Sequence, residues 1–278
     1  MAYKLKVPST SRLVLEHALP LYTSPLQQQY IDAIDFSETS SLSYDLRRSY
    51  PHFSEAVCYR KLSIREMIRE RMPLFPAQQV LILGAGLDPL SLYLLENYRS
   101  NIIRIFEVDN GYIAEKKKIY DEILPQEELI EFIKCDVTDT ALLSTLLAQS
   151  GYQEDLPSII IFEGVIHYIT NEEFIHLMEL FKTPDKRNIV IVDFSLATEE
   201  VPAGFLQYHQ GIITVMEAYI NGRFNVNNRA TITALLSTLG ARLERMEPLC
   251  YTEKKITGSN HFFHAPGEGI MEMVIFHL

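Results

Sequence analysis

Gly84 and Gly86 lie between a run of aliphatic residues, VLIL, and a segment that begins at Asp88 and Pro89. Glycine lets the backbone turn sharply and approach a bound group, and a helix that follows such a turn presents free N–H groups. The third glycine of a dinucleotide fingerprint is absent because position 89 is proline, and Asp88 would repel a pyrophosphate. The stretch therefore predicts either a tight turn without a ligand or a site for a ligand that has no phosphate.

An acidic residue follows each of the next two predicted strands. Asp109 ends FEVD, where a carboxylate can accept hydrogen bonds from both hydroxyls of a ribose. Asp136, in CDVTD, could accept a hydrogen bond from an adenine amino group while Val137 covers the ring. Each acid could equally be a solvated or helix-capping carboxylate. Three such turns in succession favour an adenosine site without phosphates.

The elements that position these residues are predicted from an alternation of apolar strands and helices. The predicted strands are QVLILGAG, NIIRIFEVD, LIEFIKCDVTD with its loop, PSIIIFEGVIHYI and RNIVIVDFSL, and helices follow the first four of them. Strands of five to seven apolar residues that alternate with helices of about a dozen indicate a parallel, doubly wound sheet. Asp88 is expected to cap the first of these helices, with Pro89 at its first position.

Two regions lie outside this alternation. Residues 1–75 are predicted to form a mainly helical segment that packs on the core, with Ser54 capping a helix that ends near Pro73. Residues 76–278 are predicted to form the main domain. Within it, residues of about 199–230 interrupt the sheet after its fifth strand and are predicted to form a lid over the carboxyl ends of the strands, where open α/β sheets bind ligands.

Four segments resemble, in order and spacing, successive motifs of the leucine carboxyl methyltransferase family of class I S-adenosylmethionine-dependent methyltransferases. They are VLILGAGLDPLSLYL, IFEVDNGYIAEKKKIY, CDVTD and IIIFEGVIHYIT, within roughly residues 45–200. The family commonly has a GAGxD turn, an EVD-like triplet before a lysine-bearing helix, and a glutamate followed five residues later by a tyrosine. The resemblance implies a Rossmann-like class I methyltransferase sheet and a methyltransferase activity.

The resemblance also implies a cofactor, S-adenosylmethionine, with S-adenosylhomocysteine as its product. The residues that it assigns to cofactor binding are Arg60, Gly84, Ala85, Gly86, Glu107, Val108, Asp109, Asp136, Val137, Glu163 and Gly164. It implies that Asp109 holds the ribose, that Asp136 and Val137 hold the adenine, and that Glu163 lies near the methionine part. Arg60 is expected to pair with the ligand's carboxylate, which a planar guanidinium can grip through two parallel hydrogen bonds.

The segment around Arg60 departs from the family pattern. The family often has ARTR followed by an acid, whereas this chain has YRKLSIRE. From the residues alone, Arg60 could be one of several cations on a solvated helix face. A second basic contact could come from Arg47 or Arg48, and YDLRRSY does not choose between them.

His167 and Tyr168, just past Glu163, are the candidate catalytic residues. Methyl transfer from a sulfonium is an in-line displacement, so the main task of the protein is to align the acceptor oxygen with the methyl carbon. A carboxylate acceptor is already ionised at neutral pH, whereas a hydroxyl acceptor needs a base, and His167 could supply it. The alternative is that His167 is a core histidine without a chemical role.

The predicted function is S-adenosylmethionine-dependent O-methylation of a carboxylate or hydroxyl on a small molecule. The alternatives are methylation of a protein's C-terminal carboxylate, a nicotinamide-dependent oxidoreductase on the same sheet, and a non-catalytic S-adenosylmethionine-binding protein. Asp88 and the missing third glycine weigh against the oxidoreductase.

Composition and charge argue against several classes of partner. A formal net charge of −11 disfavours nucleic acid as a partner. The three cysteines have no CxxC pair, which argues against disulfides and zinc, and no metal site is predicted. No signal peptide and no apolar stretch of ~20 residues is evident, so no membrane partner and a cytoplasmic location are expected.

Overall fold

The computed structural model describes residues 4–6, 10–36, 40–75 and 77–278. The helices are α1 (Thr10–Ala18), α2 (Pro25–Asp32), α3 (Ser40–Ser49), α4 (Phe53–Arg71), α5 (Leu90–Tyr98), α6 (Ile113–Ile123), α7 (Thr140–Gln149), α8 (Asn171–Glu179), α9 (Leu206–Ile220), α10 (Arg229–Thr238) and α11 (Leu249–Thr257). The strands are β1 (Leu5–Lys6), β2 (Ile34–Asp35), β3 (Gln78–Leu83), β4 (Ile102–Asp109), β5 (Ile130–Lys134), β6 (Ser158–Phe162), β7 (Ile189–Ser195), β8 (Arg242–Pro248) and β9 (Met271–His277).

Seven strands form one sheet in the order β5-β4-β3-β6-β7-β9-β8. The first five of these pair in parallel, and β9 pairs antiparallel with both β7 and β8. The chain builds outward from β3 to β5 and then returns to the other side of β3 with β6. The predicted doubly wound sheet is confirmed, and its order reverses between β3 and β6, where such sheets bind ligands.

Strand β3 shows how the sheet divides the core into two layers. Val80 and Ile82 pack with the helices of the N-terminal segment and with α5, whereas Leu81 and Leu83 pack with α7, α8 and α10 on the other face. Successive side chains of a strand point to opposite faces, so a strand covered by helices on both faces is apolar throughout. Helix α4 packs against β7 and β9, which joins the N-terminal segment to the sheet.

Two predicted helix caps are wrong. Helix α5 begins at Leu90 after Pro89, and the side chain of Asp88 makes no cap because it pairs with Lys61. Helix α4 begins at Phe53, and the Ser54 hydroxyl instead lies 2.8 Å from His17 Nδ1. In both cases a polar side chain that could serve its own helix is engaged by another element.

The predicted insertion of residues 199–230 is mostly the single helix α9, which packs against α3. It ends at Asn221, which has a left-handed backbone conformation with φ of 49°. The helix α11 and the small parallel pair of β1 and β2 were not predicted. Among the described residues, no helix is long and apolar enough to cross a membrane.

Candidate active site

A cavity of about 600 Å³ lies at the carboxyl ends of the parallel strands, which is within the ~300–1,000 Å³ typical of small-molecule sites. One wall consists of the segments after β3, β4, β5 and β6, namely residues 84–88, 109–112, 135–138 and 163–165. The facing wall comes from α1, α4, α9 and Phe224. The strand ends therefore form a polar wall, and the helical wall is apolar except for Arg60 and Lys61 of α4.

The turn after β3 is held against the end of β4. The backbone N–H groups of Gly84 and Ala85 donate to the carbonyl oxygen of Val108 at 2.8 and 3.0 Å. Gly84 has a φ of 71°, and a Cβ at that position would lie 2.3 Å from a methyl group of Val165. Both the backbone conformation and the space require glycine there.

Asp109 is fixed at the rim of this turn. Its Oδ2 accepts a hydrogen bond from the Gly86 N–H at 2.9 Å, and its Oδ1 accepts one from the Gly111 N–H at 2.7 Å. An ionised carboxylate has about four acceptor positions. Asp109 therefore keeps capacity for a hydroxyl pair in the cavity while its orientation is set by the backbone.

Asp136 and Val137 lie together at the end of β5. Asp136 Oδ1 accepts hydrogen bonds from the Thr138 backbone N–H at 2.9 Å and from the Thr138 hydroxyl at 2.7 Å, and these bonds lower the pKa of Asp136. Val137 is buried in the cavity wall. Asp139, not Asp136, caps helix α7 by accepting from the Leu142 N–H, so the capping interpretation of Asp136 is wrong.

Arg60 lies on α4 and is only 6% exposed, so the interpretation as a solvated helix face is wrong. Its Nε donates to Glu163 Oε1 at 3.1 Å, and its Nη1 lies 3.4 Å from Asp193 Oδ2. Burial alone would lower the pKa of Arg60, but Asp193 and Glu163 raise it. The guanidinium is therefore held charged at the cavity.

Lys61, the next residue along α4, is also buried and lines the cavity. Its Nζ donates to Glu163 Oε1 at 2.9 Å and pairs with Asp88. Burial alone would raise the pKa of Asp88, but Lys61 lowers it. Five residues thus form one group of ion pairs, here called the cavity cluster: Arg60, Lys61 and Asp193, which are buried, and Asp88 and Glu163, which are half-buried.

Lys61 lines the cavity, whereas Arg47 and Arg48, which were expected to supply a second basic contact, do not. Both arginines are exposed on α3, and neither lines the cavity. Adjacent residues of a helix point about 100° apart, so no sequence pattern indicated that Arg60 and Lys61 share one site. Only the position of α4 against the strand ends brings both to the cavity.

Asp193, on β7, is the functional candidate that sequence reasoning missed. It is completely buried, and its Oδ1 accepts from the Gly164 N–H at 2.6 Å. Burial alone would raise the pKa of Asp193, but Arg60 and then His167 lower it to about 2. The available signal was an acid inside the apolar run of RNIVIVDFSL, since a buried carboxylate needs a partner.

His167 and Tyr168 both line the cavity. His167 is 4% exposed, its Nε2 lies 3.1 Å from Asp193 Oδ2, and its ring stacks on Phe224 with centroids 5.1 Å apart. Its Nδ1 is buried and has no hydrogen-bond partner among the described residues. Tyr168 is 43% exposed and meets the same Phe224 edge-on.

Glu107 and Val108, which the resemblance assigns to the cofactor, do not line the cavity. Glu107 is completely buried, where it pairs with Lys116 and accepts a hydrogen bond from Ser91. Val108 packs its side chain in the core and offers only its carbonyl oxygen to the glycine turn. The structure therefore places both residues beneath the site and not in it.

The strand order and the cavity at the sheet's carboxyl edge define the class I methyltransferase fold. A candidate methyltransferase from Thermobifida fusca YX has a TM-score of 0.71 at 14% identity, with 97% of this chain and 94% of that chain covered. A DUF574 family protein from Streptomyces avermitilis MA-4680 has a TM-score of 0.60 at 12% identity, with 97% of each chain covered. At these identities the likeness shows the fold alone.

The family model described as leucine carboxyl methyltransferase matches residues 10–182 of the sequence. The chain therefore belongs to the leucine carboxyl methyltransferase family and is an S-adenosylmethionine-dependent methyltransferase. No curated protein matches this sequence.

Proposed function

We propose that this methyltransferase transfers the methyl group of S-adenosylmethionine to a carboxylate or hydroxyl oxygen of a small molecule. The observation that carries the proposal is that one cavity contains three kinds of surface: the acidic strand ends at Asp109 and Asp136, the cavity cluster, and apolar side chains from the helices. Such a cavity has one part suited to the donor and another suited to an acceptor of limited size.

The strand-end residues fit the adenosine part of the donor. Asp109 would accept hydrogen bonds from the ribose hydroxyls, and Asp136 with Val137 would hold the adenine. Gly84, Ala85, Gly86 and Gly164 line the cavity there and keep bulky side chains away from the ligand.

The charges of the cavity cluster fit the rest of the donor. Three carboxylates and two cations give the cluster one formal negative charge. S-adenosylmethionine carries a sulfonium, an ammonium and a carboxylate, so its net charge is one positive. Glu163 would accept from the ammonium and Arg60 would hold the carboxylate, because buried charges need partners.

The remaining task of the chain is positional. When bound, the cofactor supplies an electrophilic methyl group, and alignment of the acceptor in a site without water can contribute roughly 7–11 kcal/mol. Helix α9, which provides Ile212 and Met216 to the cavity, would act as the predicted lid. His167 and Tyr168 are the proposed contacts to the acceptor.

The helical wall favours a small acceptor over a protein. Leu13 and Val14 of α1 face the cavity from the N-terminal segment, and Met216 faces it from α9. An acceptor held between these helices and the strand ends must be compact. Methylation of a protein's C-terminal carboxylate is the alternative that the experiments below separate, and the cytoplasmic location stays a prediction.

Calorimetry with S-adenosylhomocysteine tests the donor site. We expect micromolar binding that is lost in Asp109→Ala, because the ribose hydroxyls lose their acceptor. Asp185→Ala is the control, since Asp185 is exposed and pairs with Arg187. Absence of heat with the wild-type protein would contradict the proposal, and a larger thermal shift with NAD would favour an oxidoreductase.

Incubation with methyl-labelled S-adenosylmethionine and a cell extract tests the acceptor. We expect the label in the low-mass fraction. Label on protein would favour the protein C-terminal carboxylate, and binding without any transfer would favour the non-catalytic alternative.

A further inference from the structure

The charges of the cavity and the hydrogen bonds of His167 distinguish a hydroxyl acceptor from a carboxylate acceptor. We propose that the acceptor is an uncharged hydroxyl compound with an apolar body and that His167, oriented by Asp193, removes the hydroxyl proton. This inference rests on the proposed function, since it concerns the acceptor of the same site.

The charge balance of the cavity disfavours an anionic acceptor. In the part of the chain that the structure describes, Arg60 and Lys61 are the only lysine and arginine side chains that line the cavity, and both are already paired with carboxylates. The single net negative charge of the cavity cluster is neutralised by the single net positive charge of the donor. A carboxylate acceptor would then be a buried anion without a cation, which is costly.

The surroundings of His167 fit a proton acceptor. Asp193 holds Nε2 at 3.1 Å and is itself fixed by the Gly164 N–H and by Arg60, so it orients the imidazole and can stabilise its protonated form. The other nitrogen, Nδ1, is buried without a partner among the described residues. A buried imidazole nitrogen without a partner is unusual, and a hydroxyl group of the acceptor would satisfy it.

The apolar side chains of the cavity indicate the character of the acceptor's body. Phe224 stacks on the imidazole and lines the cavity, and Phe53, Ile212 and Met216 line the same cavity. These side chains offer apolar surface and no charge. An aromatic or aliphatic skeleton with one hydroxyl therefore matches both the wall and the base.

In the proposed step, His167 takes the proton and the sulfur of the donor takes the electron pair. The acceptor's O–H bond breaks as its proton passes to His167 Nδ1, and the oxygen forms a bond to the methyl carbon. The bond between that carbon and sulfur breaks, and sulfur keeps the electron pair as a neutral thioether. The imidazolium pairs with Asp193 until it releases its proton to solvent.

The first test examines the stability of the labelled product to alkali. Methyl esters release labelled methanol in alkali, whereas methyl ethers keep the label. We expect an alkali-stable product in the low-mass fraction. Release of methanol from that fraction would overturn the hydroxyl inference and leave the proposed function intact, whereas no transfer at all despite S-adenosylhomocysteine binding would overturn both.

The second test compares His167→Gln with the wild-type protein on the acceptor fraction found by labelling. Loss of a general base is expected to lower kcat by about 10²–10⁴-fold. Binding of S-adenosylhomocysteine should be unchanged, which also reports that the variant is folded. His176→Gln is the control, since His176 is exposed on α8. Should His167→Gln not fold, His167→Asn supplies a smaller second variant.

The pH profile separates a base from a structural histidine. The groups that face the imidazole are Asp193 from β7, with Arg60 behind it, and the neighbouring Tyr168, while Phe224 is uncharged. We expect wild-type kcat to decline at acid pH, and we expect no such decline in the folded variant, which lacks the base. An unchanged kcat, or the same decline in the variant, would overturn the role of His167.

Discussion

Two buried ion groups lie close together in this protein and have different surroundings. The Lys116–Glu107 pair is completely buried beneath the strand ends, where Glu107 accepts a hydrogen bond from Ser91 and the Ser91 hydroxyl contacts that of Tyr120. In the cavity cluster, Arg60, Lys61, Asp88 and Glu163 line the cavity, and Asp193 is buried behind Arg60. The two groups meet at Asp88, whose carbonyl oxygen accepts a hydrogen bond from Lys116.

The surroundings of each group decide how its acids respond to pH. Burial raises the pKa of Glu107 even though Lys116 opposes it, whereas the pKa of Asp193 is lowered because Arg60 and His167 outweigh burial. Burial and ion pairing alone therefore do not identify a functional site. Access to a cavity, together with more acids than cations, separates the cavity cluster from a structural pair.

The largest expected effect is on stability, from Lys116→Met. Removing one partner leaves Glu107 as an uncompensated buried charge, so we expect a loss of about 3–5 kcal/mol of unfolding free energy. Urea unfolding measures it, and Lys117→Met is the control because Lys117 is exposed and pairs with the exposed Asp121. A stability equal to that of the control would remove the structural role assigned to this pair.

A substitution in the cavity cluster should instead change the affinity for the ligand. Glu163→Gln keeps the side chain's shape but weakens its interaction with the ligand's ammonium, at a cost of about 1.5–3 kcal/mol, or roughly 10–100-fold in Kd. Calorimetry with S-adenosylhomocysteine measures the change, with the exposed Glu172→Gln as the control. Unaltered affinity would mean that Glu163 pairs with Arg60 and Lys61 but does not contact the ligand.

Lowering the pH should reduce the contribution of Asp193 to the free energy of unfolding over a defined range. The pKa of Asp193 falls on folding from 3.8 to about 2, so its contribution is complete above pH 3.8 and is lost as pH falls towards 2. The shift corresponds to about 2 kcal/mol. In urea unfolding at decreasing pH, the stability difference between wild type and Asp193→Asn should shrink over that range; a constant difference would contradict the assignment.

The smallest expected effect is from Tyr120→Phe, next to the Lys116–Glu107 pair. The Tyr120 hydroxyl lies 2.9 Å from the Ser91 hydroxyl, and its removal deletes one buried hydrogen bond. We expect a loss of about 0.5–1.5 kcal/mol in unfolding free energy and no change in S-adenosylhomocysteine binding. A change in binding of the folded variant would mean that this network reaches the cavity.

Much of the fold could be predicted because it depends on local pattern. The alternation of apolar strands and helices predicted their succession along the chain and a parallel sheet. The acids at strand ends had to meet at one edge because parallel strands share it. Asp109 and Asp136 lie at the cavity as expected. The EVD triplet shows the limit. Glu107 and Val108 point into the opposite core layers of the sheet, and only Asp109, the last residue of β4, reaches the cavity.

By itself, the sequence determined the doubly wound sheet, the glycine turn and the strand-end carboxylates, because residue type and spacing act within a few residues. Only the tertiary structure decided that Lys61 joins Arg60, that Asp193 meets His167, and that α9 closes the apolar wall. These contacts join residues that are distant in the chain or that lie on adjacent positions of a helix. Their geometry depends on how elements pack, which no local pattern contains.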